Sequence, residues 1–424
     1  MTILTAVQRL PLSFFMALLL LTSLVPAAHA EPESFVHPLD IVDEPAGRID
    51  GPGYRPPLEE EEPLPSYSPV AGLQIVAFPY NQADPEDVIQ YPGAPNLERG
   101  FSVRYAQFGF KGSLGPLWTG YILTAGAVAQ PDGSLAFGIE NARIDLNFES
   151  GPFQIYKYGL LAGAQKIPFS RQSLNSRVLM QFPDRSTVVQ EMDIRRDVGL
   201  VAYGRISDQQ ETWRLDARGG VFNGRGNRIY APDVGDGNHY VGRLQLDVFA
   251  PIEGTEGDFR DAVAREQPQL SVGISALHNE DLARNTTAYG GDLAFNWHGV
   301  GIQAEYIHTS HRPDDGSLLV LDDLADRWET SGWYVQGGYY IIPERLETAV
   351  RYDAYNVDIL ANAAGEMDFS TVTFGVNWHL LRPHRLIDNT FRLKTGVYYT
   401  ARHEGRGVPS QANDTLGLQL SMYY

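Results

Sequence analysis

The chain has 424 residues, a formal net charge of −19 at pH 7 and no cysteine. Such acidity argues against nucleic acid as a partner, because binding phosphates needs a basic face. The absent cysteines exclude disulfides, thiolate metal centres and thiol nucleophiles, and 42 glycines with 11% aromatics favour β structure over long helices.

Residues 1–30 read as a signal peptide. Arg9 is their only charge, an apolar run centred on FFMALLLL (14–21) follows, and Ala28-His29-Ala30 gives a small-x-small cleavage pattern. Export with cleavage after Ala30 is therefore expected. No later segment reaches the roughly eighteen apolar residues of a membrane helix, which excludes helical spans. Residues 31–69 form a distinct region with nine prolines and with ten acids against Arg48 and Arg55. That composition cannot bury a core, so a Pro/Glu-rich periplasmic tail or linker is expected there, with 70–424 as the folded domain.

From Val70 onward apolar and polar residues alternate. In TLGLQLSMYY (415–424), Leu416, Leu418, Leu420, Met422 and Tyr424 share one face and Thr415, Gly417, Gln419, Ser421 and Tyr423 the other. A period of two sends neighbouring side chains to opposite faces of a strand. ARIDLNFE (142–149), WRLDARGGV (213–221) and RLETAVRYDAY (345–355) repeat the pattern with Arg and Asp on the polar face. Sixteen such segments are predicted, near 70–78, 99–113, 117–128, 135–148, 153–166, 197–206, 211–222, 238–250, 268–278, 285–297, 300–310, 331–342, 345–355, 367–380, 390–402 and 414–424. FSVRYAQFGFKG (101–112) does not separate into two clean faces, which suggests a bulge.

The connections alternate too. Those after the second, fourth, sixth, tenth and twelfth strands are tight (SLGP, ESGP, SDQQ, HG, PE), and those after odd-numbered strands are mostly longer; 251–267 and 381–389 depart from the rule. Short turns on one rim, long loops on the other, an even strand number and both termini on the short-turn side describe a closed transmembrane barrel of the outer membrane. Closure satisfies every backbone N–H and C=O in lipid. The fold expected is all-β: a transmembrane antiparallel β-barrel of about 16 strands. A soluble sandwich would not produce the turn asymmetry.

One stretch carries a resemblance. In LLAGAQKIPFSRQSLNSRVLMQFPDRSTVVQEMDIRRDVGLVAYGRI (160–206), Gly163, Lys166, Pro168 and Phe169 form a Gly-x-x-Lys-x-Pro-Phe block, followed by Phe182, Asp184-Arg185 and an Arg-Asp-x-Gly group at Arg196, Asp197 and Gly199. This order resembles the phosphate-selective porin O and P family, and the aromatic residue ending the last strand looks like the usual outer-membrane assembly signal. The resemblance implies a sixteen-stranded homotrimeric barrel whose third outer loop, here 167–196, folds into the lumen and narrows it.

Charge makes that loop a candidate site. Between Lys166 and Asp197 lie Lys166, Arg171, Arg177, Arg185, Arg195 and Arg196 against Asp184, Glu191, Asp193 and Asp197, whereas loops 79–98, 311–330 and 356–366 are acidic. These six bases are the candidates for a pore constriction. Arg143, Lys157, Arg214, Arg218, Arg243, Arg351, Arg392 and Lys394 are candidates for a cationic track on the lumen wall. Rings of bases favour anions, and guanidinium matches phosphate and carboxylate bidentately. Against that, Arg143, Arg214 and Arg351 each have an acid two residues on (Asp145, Asp216, Asp353), Arg218 follows Asp216 by two, and Asp247 and Glu305 are expected inward. Such pairing would brace the loop and leave the pore nearly unselective.

Other chemistry is thin. There is no G-x-S-x-G, H-E-x-x-H, Walker A or dinucleotide fingerprint. His308 and His311 are three apart at a strand end, Asp322, Asp323 and Asp326 read as a solvated acidic loop in preference to a loose Ca²⁺ site, and the loop 227–239 lacks EF-hand spacing. Trp118, Trp213, Trp297, Trp333 and Trp378 read as lipid-facing or girdle residues. No cofactor, metal or catalytic residue is expected. The partners expected are outer-membrane lipid and lipopolysaccharide, small anionic or neutral solutes and further copies of the chain. The reading is an outer-membrane porin for passive diffusion, leaning toward anions. A structural or adhesive barrel with an occluded pore and a barrel-anchored hydrolase are the alternatives.

Overall fold

The structure, a computed structural model, describes residues 66–81, 100–113, 119–129, 135–150, 156–177, 180–192, 196–208, 210, 212–224, 239–249, 267–280, 284–313, 324–360, 367–381, 392–405 and 413–423. Sixteen strands close into one antiparallel barrel. They are β1 (Ser66–Asn81), β2 (Gly100–Ser113), β3 (Thr119–Ala129), β4 (Leu135–Ser150), β5 (Tyr156–Lys166), β6 (Arg196–Ser207), β7 (Trp213–Phe222) and β8 (His239–Val248). The second half is β9 (Gln269–Glu280), β10 (Arg284–Trp297), β11 (Val300–Pro313), β12 (Leu324–Ile342), β13 (Leu346–Leu360), β14 (Met367–Leu381), β15 (Arg392–Glu404) and β16 (Thr415–Tyr423). Each strand pairs with its neighbours in sequence, and β1 closes on β16 with Gln74 opposite Ser421. All sixteen expected segments are strands, displaced by a few residues at their ends.

β1 starts at Ser66, so residues 66–69 belong to the barrel rather than to the expected tail. Pro69 is tolerated because the described pairing of β1 with β16 begins only at Gly72, leaving that strand edge without a ladder N–H to supply. Residues 1–65, which carry the signal-peptide and tail expectations, lie outside the described residues, as do Trp118, Arg195, Asp322, Asp323 and 227–238.

The alternation has the expected sense. Leu418, Leu420, Val350, Tyr352, Ile144, Leu146, Leu215 and Trp213 are exposed on the outer surface. Thr415, Gln419, Ser421, Arg143, Arg214, Asp216, Arg351 and Asp353 are buried on the inner one. In water so much exposed apolar surface would drive aggregation, but lipid is its solvent here. On the short-turn rim, β10 and β11 are joined by His298 and Gly299, both at positive φ as a tight hairpin requires. In the β6–β7 turn, the Thr212 hydroxyl and the Trp213 N–H donate to Asp208 and hold its carboxyl below the ordinary range.

Several register shifts interrupt the ladder, and two of them turn charges inward. In β2, Gln74 pairs with Tyr105 and Ile75 with Val103, so Arg104 is skipped. In β4, Thr124 pairs with Asn141 and Ala125 with Ile139, so Glu140 is skipped. A bulge lets two consecutive residues share a face. Arg104 thus joins Tyr105 on the inside and Glu140 joins Asn141, placing inward two charges that strict alternation would send into lipid.

Candidate functional site: the barrel lumen

The β5–β6 connection contains two short helices, α1 (Arg171–Leu174) and α2 (Thr187–Met192). Ser170 caps α1 by accepting the Ser173 N–H at 3.2 Å. The segment folds inward and its partners lie far along the chain. At its start, the Phe169 carbonyl accepts from Arg243 Nη1 at 3.0 Å and Ser275 Oγ at 2.8 Å. The N–H groups of Arg171 and Gln172 donate to Glu305 of β11. At its far reach, Gln181 donates to Glu347 at 2.7 Å and accepts from Gln336 at 2.7 Å, while its carbonyl accepts from Asn377 at 2.8 Å. The Lys394 ammonium donates to the Met180 carbonyl. On the return, Thr187 N–H donates to Asp353 at 3.1 Å and Arg351 donates to the Asp184 carbonyl at 2.9 Å. Ile167, Phe169, Val188, Val189 and Met192 supply an apolar centre with Ile307, Tyr334 and Tyr355 of the wall.

The wall is recessed to receive the segment. A Cβ at Gly338 would stand 1.8 Å from Gln181 Nε2. A Cβ at Gly273 would stand 2.5 Å from Arg243 Nη2 and 2.6 Å from Asp292 Oδ2. Real side chains cannot approach that closely, so the missing methyls make room for the tip of the segment and for an ion pair that crosses β9.

That ion pair is deeply buried. Asp292 accepts from Arg171 Nε at 2.5 Å and from Arg243 Nη1 and Nη2 at 2.6 and 3.0 Å. All three side chains are at most 3% exposed. Charges so buried are tolerable only when paired and hydrogen-bonded.

The expected constriction bases therefore divide. Arg171 is closed against Asp292. Arg185 donates to the carbonyls of Gln172, Ser173 and Asn175, and Lys166 to those of Leu174 and Asn175, so both stabilise the turn after α1. Arg196 reaches Glu140 at 3.5 Å. Arg177 is half-buried, and Arg195 falls outside the described residues. Of the wall candidates, Arg143 pairs with Asp145, Arg351 with Asp353, and Arg214 with both Asp216 (2.9 Å) and Asp247 (2.6 Å). Arg243 and Lys394 hold the segment. Lys157 and Arg218 are half-buried, and the side chain of Arg392 is not among those described.

A family model described as phosphate-selective porin O and P matches residues 80–420. The chain belongs to that family. No curated protein matches at a significant level. Among solved structures, the porin is similar to OmpT, an outer membrane protein of Vibrio cholerae. The in-vitro folded trimer form matches over 85% of this chain and 100% of that one at 10% identity, with a TM-score of 0.52. The outer-membrane expressed form matches over 85% and 98% at 9% identity, with a TM-score of 0.51. An anion-selective porin from Comamonas acidovorans matches over 85% and 99% at 12% identity, with a TM-score of 0.48. The protein is a passive diffusion channel of the bacterial outer membrane.

The motif residues of this porin have legible structural roles. Gly163 sits at φ 124°, where a Cβ would meet the Ala142 carbonyl at 2.1 Å. Asp197 accepts the N–H groups of Val198 and Gly224 at 2.7 and 2.6 Å. Phe169 and Phe182 are buried. The motif shapes the segment. Among the described residues, three inward bases escaped the sequence reading: Arg104, hidden by the bulge; Arg205, which reaches Asp216 at 2.7 Å; and Arg402, which donates to the Asn413 carbonyl at 2.8 Å. Strict alternation from Lys394 would have found Arg402. His308 and His311 lie on opposite faces, as three-residue spacing on a strand dictates: one stacks on Tyr289, the other bonds Thr286.

Proposed function

We propose that the porin passes small hydrophilic solutes with a weak preference for anions. The observation that carries this reading is a cluster of bases on one wall. Lys157, Arg205 and Arg218 lie on consecutive strands, with Lys157 opposite Arg205 and Arg218 opposite Tyr203 on the β6 face they share. All three are part exposed, whereas Arg243, Asp292, Glu305, Gln336 and Glu347 across the barrel are buried. Asp216 is the acid that the described contacts give this cluster, and Arg214 draws on it as well. The part-exposed side of the lumen thus includes β5–β7, with the segment narrowing it from the other side. The remaining ion pairs keep the preference weak, since a paired base attracts a passing ion poorly.

The porin acts as a homotrimer without catalytic activity of its own. Its outer band contacts lipid and lipopolysaccharide. Residues 1–30 direct export, and the acidic residues up to the barrel extend into the periplasm. Purified protein in a planar bilayer will give stepwise conductance in threes, and a salt gradient will give a reversal potential of anion sign. Absence of steps would leave an occluded structural barrel as the reading; a cation sign would reject the anion preference.

A further inference from the structure

A cleft of about 150 Å³ lies between the segment and the wall on the side of β1, β2 and β13–β16. It is set toward the long-loop rim, because Thr371, Arg402 and Thr415 stand near the loop ends of β14, β15 and β16. Phe78, Phe182 and Tyr398 give it an apolar side. Two opposite charges also line it. Arg402 uses Nη1 on the Asn413 carbonyl at 2.8 Å and the Thr415 hydroxyl at 3.4 Å, so among the described residues its Nε and Nη2 have no partner. Glu404, two residues on along the same inner face, accepts from Asn413 instead. The Asp184 side chain is 33% exposed, and Arg104 Nη2, at 4.0 Å, stands beyond hydrogen-bond distance from it. Arg351 fixes the Asp184 backbone by donating to its carbonyl at 2.9 Å. Among the described residues no ion pair joins Arg402 to Asp184, although both face the same cleft.

We propose, building on the reading that small hydrophilic solutes pass, that this cleft receives small zwitterionic amino acids such as glycine and alanine. The Nε–Nη2 edge of Arg402 matches a carboxylate bidentately. Asp184 accepts the ammonium. A simple anion satisfies Arg402 but is repelled by Asp184, and a simple cation meets the reverse; a zwitterion satisfies both. Thr371 and Thr400, whose hydroxyls line the same cleft, take remaining hydrogen bonds. A cavity of this volume holds a molecule of roughly benzene's bulk, which suits glycine and alanine and not larger amino acids. Solute entering past the long loops reaches the cleft from that side, and one contact at each end holds it loosely enough to leave again, as conduction requires.

The test is saturation-transfer NMR on the full-length protein in detergent at neutral pH. The probes are L-alanine, propionate, which lacks the ammonium, and L-alaninamide, which lacks the carboxylate. L-Alanine should bind about tenfold more tightly than either, the factor that one charge-assisted contact supplies. Asp184→Asn should bring L-alanine down to the affinity of propionate. Arg402→Gln should weaken L-alanine and propionate together while sparing alaninamide, and Arg402→Lys should restore part of the loss. If the parent binds L-alanine no more tightly than propionate, or if Asp184→Asn and Arg402→Gln both leave L-alanine binding unchanged, the proposal fails. The comparison of probes on the parent needs no variant, so it decides even where a substitution prevents folding, which heat-modifiable migration reports. Current steps in a planar bilayer keep the two readings apart. Conductance without L-alanine binding overturns this proposal alone, and binding without conductance overturns the reading on which it rests.

Discussion

Replacing Asp292 by alanine should release the in-folded segment while leaving the barrel standing. The carboxylate accepts three hydrogen bonds from Arg171 and Arg243. Without it, two guanidiniums less than 4% exposed face each other with no acid between them. Removing one member of a buried ion pair typically costs about 3–5 kcal/mol, because a buried charge is left uncompensated. The barrel can escape that penalty only by letting the segment go. Its own backbone is paired strand to strand around the circle, whereas the segment is held by side-chain bonds and a modest apolar centre. The variant should therefore show larger and noisier single-channel conductance. Trypsin should cut at Arg177 or Arg185, while the barrel keeps its heat-modifiable migration. Adding Arg171→Met should recover part of the loss, since one of the stranded cations is then gone. Parent-like conductance, noise and trypsin resistance in Asp292→Ala would refute the reasoning.

Three further outcomes follow from other parts of the barrel. Gly338→Val fills the recess for Gln181 and should displace the tip of the segment, raising conductance in bilayers without altering the sign of selectivity. Phe374→Arg places a charge on the lipid face at a residue 57% exposed; a loss of about 2–4 kcal/mol near the midplane should lower the denaturant midpoint in vesicles, whereas the inward neighbour Thr373→Ala should change it little. Arg218→Gln should shift the reversal potential toward cations, whereas Arg214→Gln, at a base already shared by Asp216 and Asp247, should act mainly on stability, read by the same unfolding assay.

The fold was legible because lipid outside and water inside impose opposite demands on alternate residues. Leu418 and Gln419 need no tertiary information to be sorted. The same rule sorted Arg143, Arg214 and Arg351 and anticipated their acids two residues away. It failed at Arg104 and Glu140, where a bulge shifts the period by one and only the blurred faces of 101–112 gave warning. It was silent on the loop bases. Arg171 and Arg185 look alike in sequence, yet one is held by an acid 121 residues away and the other by its own segment's carbonyls. Long-range pairing of that kind leaves no local trace.

The reach of Gln181 bears on how the porin is assembled. Its partners lie on β12, β13, β14 and β16, the last of them 238 residues downstream. Met180 waits likewise for Lys394, 214 residues on. A barrel lacking its final strands is therefore an open hole whose stopper has nowhere to seat. The strand that seals the wall against β1 also brings the last contact for the stopper. Sealing and stoppering thus coincide, and the envelope is spared a wide, unguarded leak while each new copy is inserted.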